Sequence, residues 1–226
     1  MKPYTNYKYL YPPRPDQAVS PSVLCAYDNG EFLAEAKFDG HCLIIFLSEK
    51  ETKIMNRHGQ PYNNPFDVPH EELRKLWRTD KKLDGEGENS GERWMVLCAE
   101  YMNGSKCDLN GELFDNKLVV FDVLVYNGMQ LLGYSTEDRL ALLDSIFYTE
   151  PYDKFVSVID NSEHLYLVSR FNNNFEKLYN ELLEGNMYEG LVLKKRSSPL
   201  YVSNKEKNSN NLNQIKFRKP TKKYQY

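Results

Sequence analysis

The sequence lacks an apolar run of about 18 residues, the length that a membrane-spanning helix requires. No charged and then apolar leader begins the chain, so we expect neither membrane insertion nor secretion. Cysteine is scarce: Cys25, Cys42, Cys98 and Cys107 lie far apart, with no C-x-x-C pair or histidine partner at ligand spacing. This spacing favours reduced thiols over disulfides or a zinc site, and therefore a cytoplasmic location.

Charge of one sign is not in excess either. The 226 residues carry 29 Lys and Arg against 32 Asp and Glu, a net charge of −3, which excludes a diffuse polycationic surface. Basic residues concentrate instead near the end of the sequence, where residues 205–226 contain one acid, Glu206. The seven basic residues there are Lys205, Lys207, Lys216, Arg218, Lys219, Lys222 and Lys223. This distribution favours a local contact with an anion.

The first 22 residues offer little to regular structure because they contain five prolines, which helices and central strands exclude. Tyrosines lie between these prolines, and the whole chain has 17 Tyr and 11 Phe. Aromatic side chains argue against disorder. We therefore expect residues 1–30 to form an extended arm packed on the body.

Hydrophobic periodicity divides the rest of the chain into strands and helices. Predicted strands cover residues 32–34, 43–47, 53–55, 94–99, 118–125, 190–194 and 214–218. Predicted helices cover residues 69–77, a segment between 135 and 149 capped by Thr136, and residues 172–184. No internal repeat or linker divides these elements. The pattern predicts one α+β body with mostly antiparallel sheets flanked by helices.

Lys37 is the residue around which the chain is organised. It lies in the segment E-A-K-F-D-G, residues 35–40, which we expect to form a turn between two apolar strands. Burial favours the neutral form of a lysine, and a neutral amine is a nucleophile. Four residues of the type K-x-D-G are weak evidence alone, because short motifs give false positives.

Other polar residues lie in or beside the predicted strands, where a burial pattern would not place them. They are Arg57, Glu100, Glu189, Lys194, Lys216 and Arg218. Each alone is compatible with a solvated surface charge. Together they supply an amine nucleophile, carboxylates for a divalent cation and cations for phosphate oxygens, as a phosphoryl-type transfer requires.

In order and spacing, these residues resemble the motifs of the lysine nucleotidyltransferase superfamily, which comprises ATP-dependent polynucleotide ligases and capping enzymes. The matching elements are E-x-K-x-D-G at 35–40, N-R-H-G at 56–59, Glu100, F-D-V at 121–123, E-G-L-V-L-K at 189–194 and K-F-R at 216–218. The resemblance implies an α+β nucleotidyltransferase (adenylation) domain of ATP-grasp-like type over residues 31–219. A basic tail, residues 220–226, follows it.

The resemblance also implies a role for each residue. Lys37 would attack the α-phosphorus of ATP, and Lys194 and Lys216 would stabilise the transition state as further catalytic residues. Nucleotide binding would involve Glu35, Lys37, Asp39, Arg57, Glu100, Phe121, Lys194, Lys216 and Arg218. In this scheme Glu35 contacts the adenine amino edge, Phe121 stacks on the base, and Arg57 and Glu100 hold the ribose and nearby phosphate. Glu189 and Glu100 would bind Mg²⁺ or Mn²⁺.

Two nearby residues compete with these assignments. Glu86 lies in L-D-G-E, a sequence common in the third motif of DNA ligases, but no apolar strand adjoins it. Glu100 ends a predicted strand and is favoured for that reason. Lys195 neighbours Lys194, but alternation along a strand would place it on the opposite face.

Three departures from the family pattern bear on the substrate. Cys42 occupies a position where DNA ligases usually carry arginine, and Arg218 replaces the commoner lysine. No OB-fold domain is expected after Arg218. These departures favour a minimal RNA ligase acting on polynucleotide ends. We further expect a cytoplasmic monomer, located in the host cytoplasm if the protein is viral.

Three alternatives stay open. A minimal DNA ligase that seals nicks is the first of them, and a GTP-using capping guanylyltransferase is the second. The third is a degenerate nucleotide-binding module, which the presence of Lys37, Glu100 and Glu189 disfavours.

Overall fold

Two β-sheets form the framework of the described chain, which in this computed structural model comprises residues 19–78, 93–201 and 213–220. The competing L-D-G-E segment, most of the predicted arm and all but the first residue of the predicted basic tail lie outside these residues. Within them, no helix is long and apolar enough to cross a membrane. The four cysteines are free thiols, as the sequence predicts.

The smaller sheet has four antiparallel strands in the order β10-β1-β11-β12. Their bounds are β1 Phe32–Phe38, β10 Arg170–Phe171, β11 Tyr188–Lys195 and β12 Gln214–Arg218. Alternate side chains of these strands pack into an apolar core: Ala34 and Ala36 on β1, for example, and Leu191 on β11. The intervening side chains of the same strands are therefore available to line a site on the other face.

The larger sheet runs in the order β3-β2-β4-β5-β9-β8-β7, and β6 adds to β5. Its strands are β2 His41–Ser48, β3 Thr52–Asn56, β4 Trp94–Met102, β5 Lys117–Tyr126, β6 Met129–Gln130, β7 Thr149–Pro151, β8 Val156–Ile159 and β9 Leu165–Val168. Among the pairings in the described residues, β5 with β9 is parallel and the others are antiparallel. The predicted α+β class with mostly antiparallel sheets is confirmed.

Four short helices and a 3₁₀ turn accompany the sheets, and among the α-helices α3 begins with a side-chain cap. They are a 3₁₀ turn Pro21–Val23, α1 Leu24–Tyr27, α2 His70–Lys75, α3 Thr136–Ile146 and α4 Phe175–Leu182. Ser135 rather than the predicted Thr136 caps α3, forming a reciprocal capping box with Asp138. Helix α4 buries Phe175, Leu178, Tyr179 and Leu182, and these residues join the core of the smaller sheet.

Three local predictions were wrong. Lys37 lies within β1, because pairing with β11 extends that strand as far as Phe38, and the turn comprises only Asp39 and Gly40. Glu100 lies inside β4, because pairing with β2 and β5 extends the strand to Met102. The described end of the predicted arm, residues 19–30, is helical from Pro21 to Tyr27 rather than extended.

Candidate active site

A cavity of about 130 Å³ lies between the two sheets and contains six of the predicted site residues. Those six are Glu35, Lys37, Glu100, Phe121, Lys194 and Lys216. The smaller sheet contributes residues from β1, β11 and β12, and the larger sheet contributes Glu100 from β4, Phe121 from β5 and Val168 from β9.

Strand alternation explains why residues so distant in sequence meet here. On β1, Glu35 and Lys37 are two residues apart and therefore share one face of the sheet. Val192 and Lys194 of β11 line the same cavity, while Leu191 and Leu193 lie in the apolar core. Lys195 has the opposite parity to Lys194 and does not line the cavity, as predicted.

Lys37 is held at the cavity by a carboxylate. Its ammonium forms an ion pair with Glu189, and its side chain is 17% exposed. Gly190 pairs with Lys37 across β1 and β11 at a positive φ of 135°. A Cβ at Gly190 would lie 1.9 Å from the Phe217 carbonyl oxygen, so only glycine fits there. In the E-G dipeptide, Glu189 therefore pairs with Lys37, and Gly190 allows β11 to approach the backbone of Phe217.

Glu35 and Lys194 form a buried pair at the cavity wall. Lys194 Nζ lies 2.6 Å from Glu35 Oε2, and the two side chains are 4% and 3% exposed. Lys194 Nζ also donates to the Phe121 carbonyl oxygen at 3.0 Å and lies 5.3 Å from the centre of that ring. Three predicted residues from β1, β5 and β11 are therefore linked directly.

Glu100 is a carboxylate without a direct cationic partner in the described contacts. It accepts a hydrogen bond from the Gly40 amide at 3.2 Å. Burial raises the pKa of Glu100 to about 7, and the negative charges of Glu189 and Asp39 add to this effect. The charge of Lys37 and the Gly40 hydrogen bond oppose it. At neutral pH the group is therefore poised between its protonated and ionised forms.

Asp39 and Arg218 extend the site beyond the cavity. Asp39 forms an ion pair with Lys106, a residue that the sequence motifs did not indicate. Burial raises the pKa of Asp39, but hydrogen bonds with Lys106 and Glu189 and the charges of Lys106 and Lys37 outweigh it and lower that pKa. Arg218 Nη2 lies 3.6 Å from Glu189 Oε2. Glu189 therefore has Lys37 and Arg218 as cationic neighbours.

The structure does not bring Arg57 to the same cavity. Arg57 is exposed and lines a separate groove of about 430 Å³, in which Gly40 and Cys42 also take part. The other lining residues of this groove are His41, Asn56, His58, Gln60, Pro61, Tyr62, Asn63 and Asn64. No carboxylate is among them. His41 Nδ1 lies 2.6 Å from the Tyr62 hydroxyl, so one wall of the groove is a hydrogen-bonded pair of rings.

A saturated ion pair adjoins the cavity on β5. Asp122, next to Phe121, receives both Arg139 Nε and Arg139 Nη2 at 3.0 Å. Arg139 Nη1 donates to the Tyr134 carbonyl oxygen, also at 3.0 Å. Although burial raises the pKa of Asp122, the charge and hydrogen bonds of Arg139 lower it overall. This pair connects α3 to the strand that carries Phe121.

Sequence reasoning missed Arg170, Lys106 and Val168. Arg170 lies on β10, a two-residue strand too short for a periodic signal, and Lys106 lies in a loop. Val168 ends the short strand β9. Val192, by contrast, was available from alternation with Lys194. The missed residues come from the chain between residues 103 and 171, in which β7 to β10 were not predicted.

The carboxylates fit a magnesium or manganese ion only in one binding mode. No group of three or more His, Cys, Asp or Glu that could hold a metal occurs within residues 19–78, 93–201 and 213–220. Mg²⁺ is commonly held by one or two carboxylates together with substrate phosphates and water. Glu100 on β4 and Glu189 on β11 would supply the two carboxylates of such a site.

Comparison with known proteins supplies a family and a fold. The sequence profile of the ATP-dependent DNA ligase domain matches residues 17–216. The SPbeta prophage-derived DNA ligase-like protein LigB of Bacillus subtilis (strain 168) is 24% identical over 202 residues. That alignment covers 84% of this chain and 65% of the relative, so the chain spans just under two thirds of the relative's length.

Solved structures support the same fold. The ligase domain of LigD from M. tuberculosis superposes with a TM-score of 0.58 at 17% identity, covering 92% of this chain and 60% of that one. A mycobacterial DNA ligase D complexed with ATP and MES gives a TM-score of 0.58 at 15% identity, over 94% and 62% of the two chains. At these identities the likeness establishes the nucleotidyltransferase fold alone.

Proposed function

Because the chain belongs to the ATP-dependent DNA ligase domain family, we propose that Lys37 accepts AMP from ATP and that the protein uses this AMP to join polynucleotide ends. The observation that carries the proposal is the cavity itself. It places the Lys37 amine beside two further lysines, Lys194 and Lys216, and an aromatic ring, Phe121, between two sheets.

The first step is nucleophilic displacement at the α-phosphorus. The Lys37 nitrogen forms a bond to phosphorus while the bond to the bridging oxygen breaks, and pyrophosphate leaves with the electron pair. The amine loses a proton before it attacks, and Glu189 is the carboxylate in contact with it. Lys194 and Lys216 stabilise the charge that develops on the phosphate oxygens.

Different residues of the cavity suit the base and the phosphates of the nucleotide. Phe121 and Val192 offer apolar faces to the base, and Glu35 offers a carboxylate oxygen to its amino group. The cavity is smaller than the about 300–1,000 Å³ of sites that enclose a whole drug-sized ligand. The phosphates therefore extend towards Lys37, Asp39 and Lys106.

Magnesium would be held by Glu189 and Glu100, with Asp39 nearby. When bound, the ion neutralises phosphate charge and helps pyrophosphate to leave. Lys37 and Glu189 form an ion pair in this structure. Glu189 would therefore be shared between the ion and the Lys37 amine.

In the later steps AMP moves from Lys37 to a 5′-phosphate, and a 3′-hydroxyl then displaces it to form the phosphodiester. The groove around Arg57 is a suitable place for the strand end. It opens beside Gly40, carries an exposed guanidinium, and includes side-chain amides and the ring of Tyr62 but no carboxylate. Such groups bind phosphates and stack on bases.

DNA is the substrate that we place first. The family is that of the ATP-dependent DNA ligase domain and LigB is a DNA ligase-like protein, which supports DNA over the RNA that the sequence motifs favoured. RNA is the second candidate, and one residue favours it. Cys42 lines the groove at a position where DNA ligases usually carry arginine.

Adenylylation is tested with α-labelled ATP or GTP and Mg²⁺. We expect an acid-labile label on the wild-type protein with ATP, and no label on Lys37→Ala. Lys195→Ala is the matched control, because Lys195 lies on β11 but outside the cavity, and it should retain the label. No label with either nucleotide on the wild-type protein would contradict the proposal.

The polynucleotide is tested separately with nicked DNA, nicked RNA, RNA–DNA hybrids and 5′-phosphorylated single-stranded RNA. Sealing of nicked DNA with the highest rate supports the first candidate. Joining of RNA strands but not of DNA reverses the order and implicates Cys42, which Cys42→Arg would then test.

A further inference from the structure

Glu35 lies between two cations that belong to the strands on either side of it. Strand β1 is flanked by β10 and β11. Arg170 of β10 is the direct partner of Glu35 in the antiparallel register. Lys194 of β11 approaches from the other side. Two cations from two strands therefore converge on one buried carboxylate.

The two oxygens of the Glu35 carboxylate differ in their hydrogen bonding. Oε2 contacts Lys194 Nζ at 2.6 Å, whereas Oε1 lies 3.5 Å from Arg170 Nε, beyond an ordinary hydrogen bond. Glu35 Oε1, Arg170 Nε and Arg170 Nη2 are all buried without a hydrogen-bond partner in the described residues. Buried polar atoms of this kind are uncommon, and here one of them belongs to a residue that lines the cavity.

Arg170 is also held by a contact with helix α3. Its Nη1 forms an ion pair with Asp144 of α3, and its side chain is 12% exposed. Arg170 does not line the nucleotide cavity, so its guanidinium acts on the site through Glu35. Asp144 itself is 59% exposed, which places the anchor at the protein surface.

We propose that Arg170 is a positioning residue that fixes the Glu35 carboxylate, so that Oε1 accepts a hydrogen bond from the 6-amino group of the ATP base. Arg170 also keeps a positive charge beside Glu35 when Lys194 turns towards the α-phosphate. The proposal rests on the proposed function, because it concerns the same nucleotide.

The second role follows from the contacts of Lys194. That lysine is 4% exposed and is bound to Glu35 and to the Phe121 carbonyl oxygen. If Arg170 were absent, moving Lys194 to a phosphate would leave Glu35 as a buried carboxylate without a cation, which is strongly unfavourable. Arg170 removes that obstacle because it stays in place.

The test compares Arg170→Gln, Arg170→Lys and Asp144→Asn with the wild-type protein. Arg196→Gln is the matched control. Arg196 also pairs with an acid of α3, Glu137 at 2.9 Å, but it lies outside the cavity. Each protein is incubated with ATP, which gives lysyl-AMP, or with purine ribonucleoside triphosphate, which lacks the 6-amino group and gives the corresponding lysyl purine ribonucleotide. The half-saturating concentration and the rate at saturation are measured for both nucleotides.

For Arg170→Gln we expect the half-saturating ATP concentration to rise about tenfold or more, the size of a lost charge-assisted hydrogen bond. The value for the purine nucleotide should change little, so the preference for ATP narrows. The rate at saturation should also fall, and Arg170→Lys should restore part of it. Asp144→Asn alters an exposed residue and keeps Arg170 itself. It should therefore give a smaller change in the same direction. Arg196→Gln should match the wild type.

An unchanged ATP preference in Arg170→Gln and Asp144→Asn would overturn the inference. An equal rise in the half-saturating concentrations of both nucleotides would also overturn the inference, because it would indicate a merely structural role for Arg170. The proposed function fails by a different result, namely the absence of any lysyl-AMP on the wild-type protein.

Discussion

Asp122, which adjoins the cavity, and the cavity residues Glu35 and Glu100 are carboxylates that differ in how completely they are hydrogen-bonded. Asp122 has both oxygens bound by Arg139, and its pKa is lowered. Glu100, on the neighbouring strand β4, has one backbone amide as its direct donor, and its pKa is raised to about 7. Glu35 lies between these cases, with one oxygen bound by Lys194 and the other without a hydrogen bond.

The difference shows how a buried charge in a scaffold is distinguished from one in a site. A scaffold carboxylate is fully paired, because an unpaired buried charge is costly. A carboxylate in a binding site keeps an oxygen free for a ligand, and it therefore contributes less to the stability of the fold. Burial alone does not separate them, since Asp122 and Glu35 are 2% and 3% exposed.

The largest effect should come from breaking the saturated pair. Arg139→Leu leaves Asp122 as an uncompensated buried charge and should cost about 3–5 kcal/mol in the free energy of unfolding. Urea unfolding at neutral pH measures this cost. As a control, Arg196→Leu removes a more exposed arginine from its pair with Glu137 and should cost less than about 1 kcal/mol. Equal costs for the two variants would show that saturation does not matter.

Glu100→Gln should stabilise the protein at high pH. The pKa of Glu100 is about 7 in the folded state against an ordinary value of 4.5, so the folded state binds the extra proton between these values. Wild-type stability therefore falls as pH rises from about 4.5 to 7, and Glu100→Gln should lack this fall. Above pH 7 the variant should be more stable by roughly 2 kcal/mol, allowing for the partial exposure of the side chain.

Urea unfolding from pH 4.5 to 8.5 in a chelating buffer tests this prediction. The two proteins should be nearly equal in stability at the acidic end. The difference in the free energy of unfolding between the two proteins should grow from pH 4.5 to pH 8. A difference that is the same at both pH values would show that Glu100 does not titrate with a raised pKa.

Isosteric amides compare the two paired carboxylates directly. Asp122→Asn should destabilise the protein about 1–2 kcal/mol more than Glu35→Gln, because Arg139 loses a charge partner on both sides of its fork. Lysyl-AMP formation at limiting ATP should show the reverse order, with Glu35→Gln the more impaired. The measurements are urea unfolding and the adenylylation rate. If Asp122→Asn is the more impaired in both, the distinction between scaffold and site fails.

The smallest effect is expected at the surface. Lys154 pairs with Glu181, and their side chains are 43% and 32% exposed. Lys154→Gln should change the free energy of unfolding by less than about 1 kcal/mol, and high salt should reduce even that difference. A larger loss in urea unfolding would mean that exposure is a poor guide to the strength of these pairs.

The sequence was sufficient for the elements that carry the motifs. Glu35 and Lys37, or Val192 and Lys194, are two residues apart on apolar strands, so their shared face follows from alternation. The ends of elements were less predictable: Lys37 and Glu100 lie inside strands because pairing with β11 and with β2 continues past them.

Residues placed by tertiary register were beyond sequence reasoning. Arg170 lies opposite Glu35 only because the two-residue strand β10 pairs with β1, across 135 residues of chain. Lys106 reaches Asp39 from a loop without periodicity. The separation of Arg57 from the cavity between the sheets likewise depends on the position of the hairpin of β2 and β3, which its motif does not encode.

The most direct test of the central claim is to locate the adenylate on the protein. The wild-type protein is incubated with ATP and Mg²⁺, digested, and its peptides are analysed by mass spectrometry. We expect one AMP adduct, attached to the lysine at position 37, which disappears when pyrophosphate is added. An adduct on Lys106, Lys194 or Lys216, or none at all, would contradict it.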